Sequence, residues 1–170
     1  MSTEPEEIVS EAVTLSAPVR EEIDRWITKY PPDRKQSAVM AALRVVQDDN
    51  GGWLSRAHLE AVARYLDIPP IAVYEVATFY SMYDLEPVGR HKVCVCTNIS
   101  CMLRGSDEVM AHLSQRLGIK PGETTADGRF TLREVECLGA CVGAPMMQIG
   151  RQYHENLTSE RIDRILDNLE

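Results

Sequence analysis

The chain has 170 residues, of which 44% are hydrophobic and 26% charged, and its 18 basic and 26 acidic residues give a net charge of −8. This composition is typical of a soluble globular protein with one or two domains. The negative charge argues against binding to nucleic acid or anionic lipid. The sequence shows no membrane-spanning stretch and no secretory or transit signal, so we predict a cytoplasmic protein with no direct membrane insertion.

The first half of the chain predicts only helices. Residues 1–16 are rich in Glu and lack periodicity, which predicts a flexible acidic tail. Apolar residues at helical spacing then predict a helical domain over residues 17–84. The first predicted helix begins near Pro18, and the second runs from Arg34 to Gln47. The third begins after its N-cap Ser55, and the fourth follows Pro69-Pro70.

The fourth predicted helix, IAVYEVATFYSMY, is apolar around most of its circumference. Such a helix lies either at the centre of a bundle or against another protein, and for single residues the pattern favours the core. Residues 84–89, DLEPVG, follow it and are predicted to be a linker.

Residues 85–170 alternate between strand and helix patterns, which predicts a second domain. The predicted order β–α–β–β–α suggests a thioredoxin-like α/β layer, and the whole chain is therefore assigned to the α+β class. The predicted elements are a strand His91–Cys96, a helix Ser106–Leu117, a strand Phe130–Glu136, a hairpin of Met146–Ile149 with Gln152–His154, and a helix from Ser159.

Four of the five cysteines occur in two close pairs, in the segments CTNISC and ECLGAC. Cys96 and Cys101 follow the first predicted strand, and Cys137 and Cys141 follow the second. Disulfides are rare in the cytoplasm, where paired cysteines more often bind metal or act in redox chemistry. A 2Fe–2S cluster needs four thiolates, two for each iron. The spacing therefore predicts that these four cysteines bind one 2Fe–2S cluster. Cys94 lies within a strand and is predicted to be buried and inert.

Other kinds of cysteine site agree less well with this spacing. Structural zinc sites usually contain C-x2-C pairs, so a zinc-binding scaffold protein is the less favoured alternative. A thioredoxin-type dithiol needs C-x-x-C, which is absent. The four histidines are scattered, and no sequence motif for nucleotide binding or nucleophilic catalysis occurs, so no catalytic residue is assigned.

Glycines accompany the cysteine segments. Gly139 and Gly143 allow backbone conformations that turn amides toward one point, and Gly105 precedes the predicted helix at Ser106. Backbone donors of this kind would compensate the negative charge of four thiolates.

Longer motifs carry a family resemblance. The sequence resembles the thioredoxin-like 2Fe–2S subunits of the NADH-dehydrogenase module of respiratory complex I, from about residue 17 to the C-terminus. The shared motifs are GGWLS, VYEVATFYSMY, PVGRH, CMLRG and DGRFTLREVECLGACVGAP.

The resemblance implies a function, a ligand set and a partner. In that family the cysteines matching Cys96, Cys101, Cys137 and Cys141 ligate the cluster, and a larger flavoprotein subunit binds FMN and NADH beside it. The chain would then be an electron-transfer subunit, peripheral to the inner membrane within a larger complex. NAD-linked formate dehydrogenases and bidirectional hydrogenases use the same type of subunit and remain alternatives.

Overall fold

The computed structural model describes residues 13–169, which form two compact units that divide between Pro87 and Val88. Within these residues, no helix combines the length and the apolar character needed to cross a bilayer.

The first unit contains the four predicted helices. A 3-10 helical turn at Lys35–Ala38 leads into the second of them, which begins a few residues later than expected. Ser55 is the N-cap of the third helix, as predicted. The helices are α1 Ala17–Ile27, α2 Val39–Asp49, α3 Arg56–Leu66 and α4 Pro70–Phe79.

One core joins the four helices, because each contributes an apolar stripe to it. Ile23, Leu43, Val62 and Val73 are fully buried there. Leu15 is also buried against this core, so the last part of the predicted tail packs on the helical unit. The rest of the predicted tail, residues 1–12, lies outside the described residues.

Helix α4 differs from its prediction. Only Val73 and Ala77 are buried, whereas Phe79 is 80% exposed and Ile71 is 62% exposed. The helix also ends at Phe79 instead of continuing to Tyr83. Helix α4 packs on α3 and α2 from one side only, so the core position favoured for single residues holds for Val73 and Ala77 but not for the apolar residues left in solvent.

The segment after α4 is fixed to the first unit. The Gln47 amide donates to the Met82 carbonyl over 3.1 Å and accepts from the Asp84 backbone N–H over 2.8 Å. The Tyr83 hydroxyl donates to the Met40 carbonyl over 2.8 Å, and burial raises the pKa of Tyr83 to about 12. The predicted linker therefore begins with a residue, Asp84, that is hydrogen-bonded to the helical unit.

The second unit is a four-stranded sheet with three helices, in the predicted order. The sequence analysis missed α5, a single turn. The elements are β1 His91–Cys96, α5 Ile99–Met102, α6 Ser106–Leu117, β2 Phe130–Val135, β3 Met147–Ile149, β4 Gln152–His154 and α7 Ser159–Asp167.

The sheet has the order β2-β1-β3-β4, with β1 parallel to β2 and the other two pairs antiparallel. A parallel pair needs a crossover connection, and the chain supplies it through α5 and α6. Alternate residues of β1, Val93 and Val95, belong to a core that includes Leu113 of α6 and Ile162 of α7. Helices α6 and α7 are also joined by an ion pair between Arg116 and Asp167 at 2.8 Å.

We expect His58 to make the stability of the first unit depend on pH. Its Nδ1 accepts a hydrogen bond from the Ser55 backbone N–H over 3.2 Å, which closes the cap of α3. Burial lowers the pKa of His58 from 6.5, against a smaller opposing effect of Asp49. Just below pH 6.5 the unfolded chain therefore binds more protons than the folded chain does. The free energy of unfolding should fall as the pH drops through this range, and the contribution of His58 to it should stay constant above this range.

Denaturant unfolding between pH 5 and pH 8 measures this effect. The His58→Gln variant keeps a side-chain acceptor at this position and should show a smaller pH dependence in the first unit. His154→Gln is the matched control in the second unit, where burial also lowers the histidine pKa. An unchanged pH dependence in His58→Gln would contradict the lowered pKa of His58.

Candidate cysteine-rich site

Strand register brings the two cysteine segments to the same edge of the sheet. Cys96 is the last residue of β1, and its partner in the parallel strand β2 is Val135, the last residue of that strand. Cys137 follows two residues later, in the connection that leads to β3. Because carboxyl ends of parallel strands share one edge, both segments leave the sheet side by side.

Cys96 and Cys101 are buried at this edge. They form a small apolar cluster with Ala144 and Met146, separate from the main core. The Cys96 backbone N–H donates to the Met146 carbonyl over 3.2 Å, and Cys96 Sγ lies 3.9 Å from the carbonyl oxygen of Glu136. The end of β1 is thereby joined to both ends of the connection that carries Cys137 and Cys141.

The Cys101 thiol has the most perturbed environment of the four. Its pKa is raised to about 11, first by burial and then by its hydrogen bond with Cys96, while a backbone hydrogen bond from Met146 acts in the opposite direction. The nearby Cys141 has a smaller raising effect. Cys101 therefore interacts with Cys96 and with Cys141, one cysteine from each pair.

The structure does not gather all four predicted ligands into one closed set. Cys137 and Cys141 are exposed, in contrast to Cys96 and Cys101. Among residues 13–169, no three Cys, His, Asp or Glu side chains are grouped closely enough to hold a metal ion. Cys94 is half-buried in β1, whereas it was expected to be buried.

The loop between β2 and β3 is shaped by its backbone. Gly139 adopts the left-handed conformation with φ of 75°, which favours glycine. A 3-10 turn at Cys141–Gly143 follows, in which the Gly143 N–H donates to the Ala140 carbonyl over 3.0 Å.

Exposed apolar side chains surround the cysteines. Val142 is 97% exposed, Leu103 76% and Ile99 66%. Sequence reasoning missed this surface, together with α5. The available signal was Asn98, whose side chain accepts a hydrogen bond from the Ile99 N–H over 2.7 Å as the N-cap of α5.

The sequence is similar to known iron–sulfur and respiratory proteins. The family described as thioredoxin-like 2Fe-2S ferredoxin matches residues 23–170. An NADH-quinone oxidoreductase subunit of Rickettsia bellii (strain RML369-C) is 50% identical over 143 residues, which is 84% of this chain and 86% of that protein. An NADH-quinone oxidoreductase subunit of Rhizobium meliloti (strain 1021) is 49% identical over 150 residues, 88% of each chain.

Solved structures share the fold at lower identity. Crystal structures of NAD+-reducing NiFe hydrogenase in the air-oxidised and H2-reduced states match with TM-scores of 0.63 and 0.65 at 23% sequence identity. The match covers 75% of this chain and 22% of the hydrogenase chain, so this chain corresponds to about a fifth of that polypeptide.

The cysteine site can be tested for its fit to a 2Fe–2S cluster. Such a cluster takes four thiolates, and the two cysteine segments at one sheet edge supply four sulfur atoms. Burial raises the pKa of the Cys101 thiol, and a bound iron ion would favour its thiolate form instead. The backbone hydrogen bond from Met146 to that sulfur is the type of donor that a buried thiolate needs. The number and the chemistry of these donors fit the cluster.

Proposed function

Because this chain belongs to the family of thioredoxin-like 2Fe-2S ferredoxins, we propose that it is the electron-transfer subunit of NADH:quinone oxidoreductase, respiratory complex I. The chain carries one 2Fe–2S cluster, and its relatives are subunits of an oxidoreductase. The observation that carries the proposal is the pair of buried cysteines, Cys96 and Cys101, at the edge of the sheet where the second cysteine segment also begins.

The proposed ligands of the cluster are Cys96, Cys101, Cys137 and Cys141. The Cys101 thiol is hydrogen-bonded to Cys96 and feels a weak electrostatic effect of the nearby Cys141, which supports a single site that draws on both segments. The exposure of Cys137 and Cys141 supports an arrangement in which one side of the site is buried and the other faces outward.

The residues of this chain hold charge and do not process a substrate. When bound, a 2Fe–2S cluster accepts one electron at a time, whereas NADH delivers a hydride, so a flavin has to separate the two electrons. The packed, buried side chains of Cys96, Cys101, Ala144 and Met146 exclude water from one side of the site. Met146 supplies a backbone donor to the Cys101 sulfur, and such donors set the reduction potential of iron–sulfur centres.

The proposed partner is a flavoprotein subunit that binds FMN and NADH and lies next to the cluster. The exposed Val142, Leu103 and Ile99 beside the cysteines support contact with another protein, because apolar groups of this size are costly to leave in water. We place the assembled chain at the cytoplasmic periphery of the inner membrane.

The proposed domain division has a helical domain over residues 17–84 and a cluster domain over residues 85–170, preceded by the acidic tail. The two compact units, which divide between Pro87 and Val88, support it. The second candidate is the equivalent subunit of an NAD-linked hydrogenase, favoured by the shared fold of the NAD+-reducing NiFe hydrogenase. An NAD-linked formate dehydrogenase would use the same chemistry.

Affinity purification of the tagged chain from its native cells tests the function. We expect a flavoprotein with bound FMN to co-purify, and NADH to reduce the 2Fe–2S cluster in that complex but not in the isolated chain. A nickel-containing partner would favour the hydrogenase alternative. Reduction of the isolated chain by NADH, or purification without any flavoprotein, would contradict the proposal.

Substituting Phe79 with Asp should weaken assembly with the flavoprotein subunit. Phe79 is 80% exposed on α4, so the change should not disturb the core, but a carboxylate placed in an apolar contact loses its hydration. We expect the apparent Kd for the partner to rise about tenfold or more, with an unchanged visible spectrum. The measurement is a pull-down titration against the flavoprotein.

The matched control is Gln115→Asp, which adds the same charge at an exposed position of α6. It should bind the partner as the wild-type chain does. If Phe79→Asp binds the partner as tightly as the wild-type chain does, the surface of α4 around Phe79 is not part of the interface. Loss of the 2Fe–2S cluster from this variant would show that Phe79 has a structural role instead.

A further inference from the structure

The loop that carries Cys137 and Cys141 is bonded to β1 at its two ends and also to a later segment of the second unit. Because both cysteine side chains are exposed, hydrophobic packing of these side chains does not fix the loop. Its conformation depends on the hydrogen bonds of its backbone. Three of these bonds come from residues 153–157, the stretch that leaves strand β4 and leads to helix α7.

The three bonds reach both ends of the loop. The Tyr153 hydroxyl donates to the Leu138 carbonyl over 2.8 Å. Further along, the Asn156 N–H donates to the Gly143 carbonyl over 2.6 Å, and the Leu157 N–H donates to the Pro145 carbonyl over 3.0 Å. The last two are backbone bonds, whereas the first depends on a side chain.

Tyr153 is well placed to hold this bond. It belongs to the edge strand β4, where its partner in the ladder is Gln148 of β3. Strand β3 pairs in turn with β1, which ends at Cys96. The hydroxyl therefore joins the middle of the cysteine loop to the same sheet that positions the first cysteine segment.

The bond also determines the orientation of a peptide unit between the two cysteines. In a trans peptide the carbonyl of Leu138 and the N–H of Gly139 point in opposite directions. Fixing the direction of the Leu138 carbonyl thus fixes the direction of the Gly139 N–H. Gly139 itself has a φ of 75°, in the left-handed region. Backbone N–H groups near an iron–sulfur cluster tune its electronic properties, and their orientation matters for this.

We propose that Tyr153 is a positioning residue for the cluster, whose hydroxyl holds the Leu138–Gly139 peptide and thereby the loop of Cys137 and Cys141. This inference rests on the ligand set given in the proposed function. Tyr153 touches neither iron nor sulfide in this account and acts through the loop alone.

The Tyr153→Phe variant of the full holoprotein tests the proposal, because it removes the hydroxyl and keeps the ring. We expect a ferrous chelator to extract iron from the reduced variant roughly two- to tenfold faster, the range that corresponds to one neutral hydrogen bond. The g values of the reduced cluster in electron paramagnetic resonance should shift. The melting temperature of the metal-stripped full chain should fall by no more than a few degrees, the effect of losing one hydrogen bond.

Tyr65→Phe is the matched control. The Tyr65 hydroxyl also donates over 2.8 Å, to Asp24 in the first unit, far along the chain from the cysteines. This variant should change neither the rate of iron release nor the g values.

The possible outcomes separate this proposal from the function on which it rests. Wild-type release and wild-type g values in Tyr153→Phe would overturn the positioning role and leave the ligand set intact. Unchanged g values with a lower melting temperature of the stripped chain would also overturn it, in favour of a purely structural bond. A wild-type chain without iron would overturn the ligand set and this role together.

Discussion

Replacing Cys101 with serine should leave the protein without a stable 2Fe–2S cluster. Cys101 is the cysteine whose sulfur interacts with both Cys96 and Cys141, and it is buried. A serine hydroxyl is a harder and far more basic ligand than a thiolate, and its alkoxide would carry unscreened charge in this apolar cluster. We expect most of the visible absorption and iron content to be lost from the purified variant.

Serine at Cys96, Cys137 or Cys141 should also disturb the cluster. The matched control is Cys94→Ser, since Cys94 lies two residues before Cys96 in the same strand and is not a proposed ligand. It should keep the wild-type spectrum and iron content. Loss of the cluster in Cys94→Ser together with retention in any of the other four variants would contradict the ligand set.

Replacing Gly143 with alanine should destabilise the second unit by roughly 1–3 kcal/mol, the range for overpacking a filled site. A Cβ at this buried position would lie 2.5 Å from Cβ and from Cδ of Glu155. Because the Glu155 Cβ is attached directly to the backbone, it cannot rotate away. The loop would have to move, which would strain the hydrogen bond from Asn156 to the Gly143 carbonyl.

Denaturant unfolding of the metal-stripped chain measures the loss of stability, and iron release measures the displacement of Cys141. The Glu155→Gly change removes every atom of the predicted clash, so it should rescue Gly143→Ala, whereas Glu155→Ala should rescue it only in part. Wild-type stability of Gly143→Ala would show that the loop and the segment at Glu155 are not packed as described.

Much of the second unit could be predicted because its pattern is local. Alternation in β1, the turn residues Asp127-Gly128 before β2 and Gly150 in the β3–β4 hairpin each specify an element from a few residues. The strand order and the parallel pairing of β1 with β2 were not predicted from the sequence. The family resemblance, which was based on long motifs, is confirmed by relatives that are about half identical.

The features that could not be predicted from the sequence depend on tertiary contacts. Helix α4 has the apolar composition of a core helix, but how many neighbours it has is decided by the packing of α2 and α3. The bracing of the cysteine loop by Tyr153 also joins residues that are 15 positions apart in the sequence. A periodic pattern carries no information on either contact.

The sequence predicts a set of four ligands, which stays a prediction, and it did not predict the surroundings of the candidate site. Spacing after two strands singled out Cys96, Cys101, Cys137 and Cys141, and the sheet register puts both segments at one edge. The difference in exposure between the two pairs was not foreseen, because it depends on how Ala144 and Met146 cover the first pair.

The most direct measurement of the central claim is the metal and sulfide content of the full chain purified without oxygen, combined with paramagnetic resonance after reduction. The account predicts two iron and two acid-labile sulfide ions per chain, and a signal that appears on uptake of one electron. A colourless protein without iron, or one with a single zinc ion in place of iron and sulfide, would contradict it.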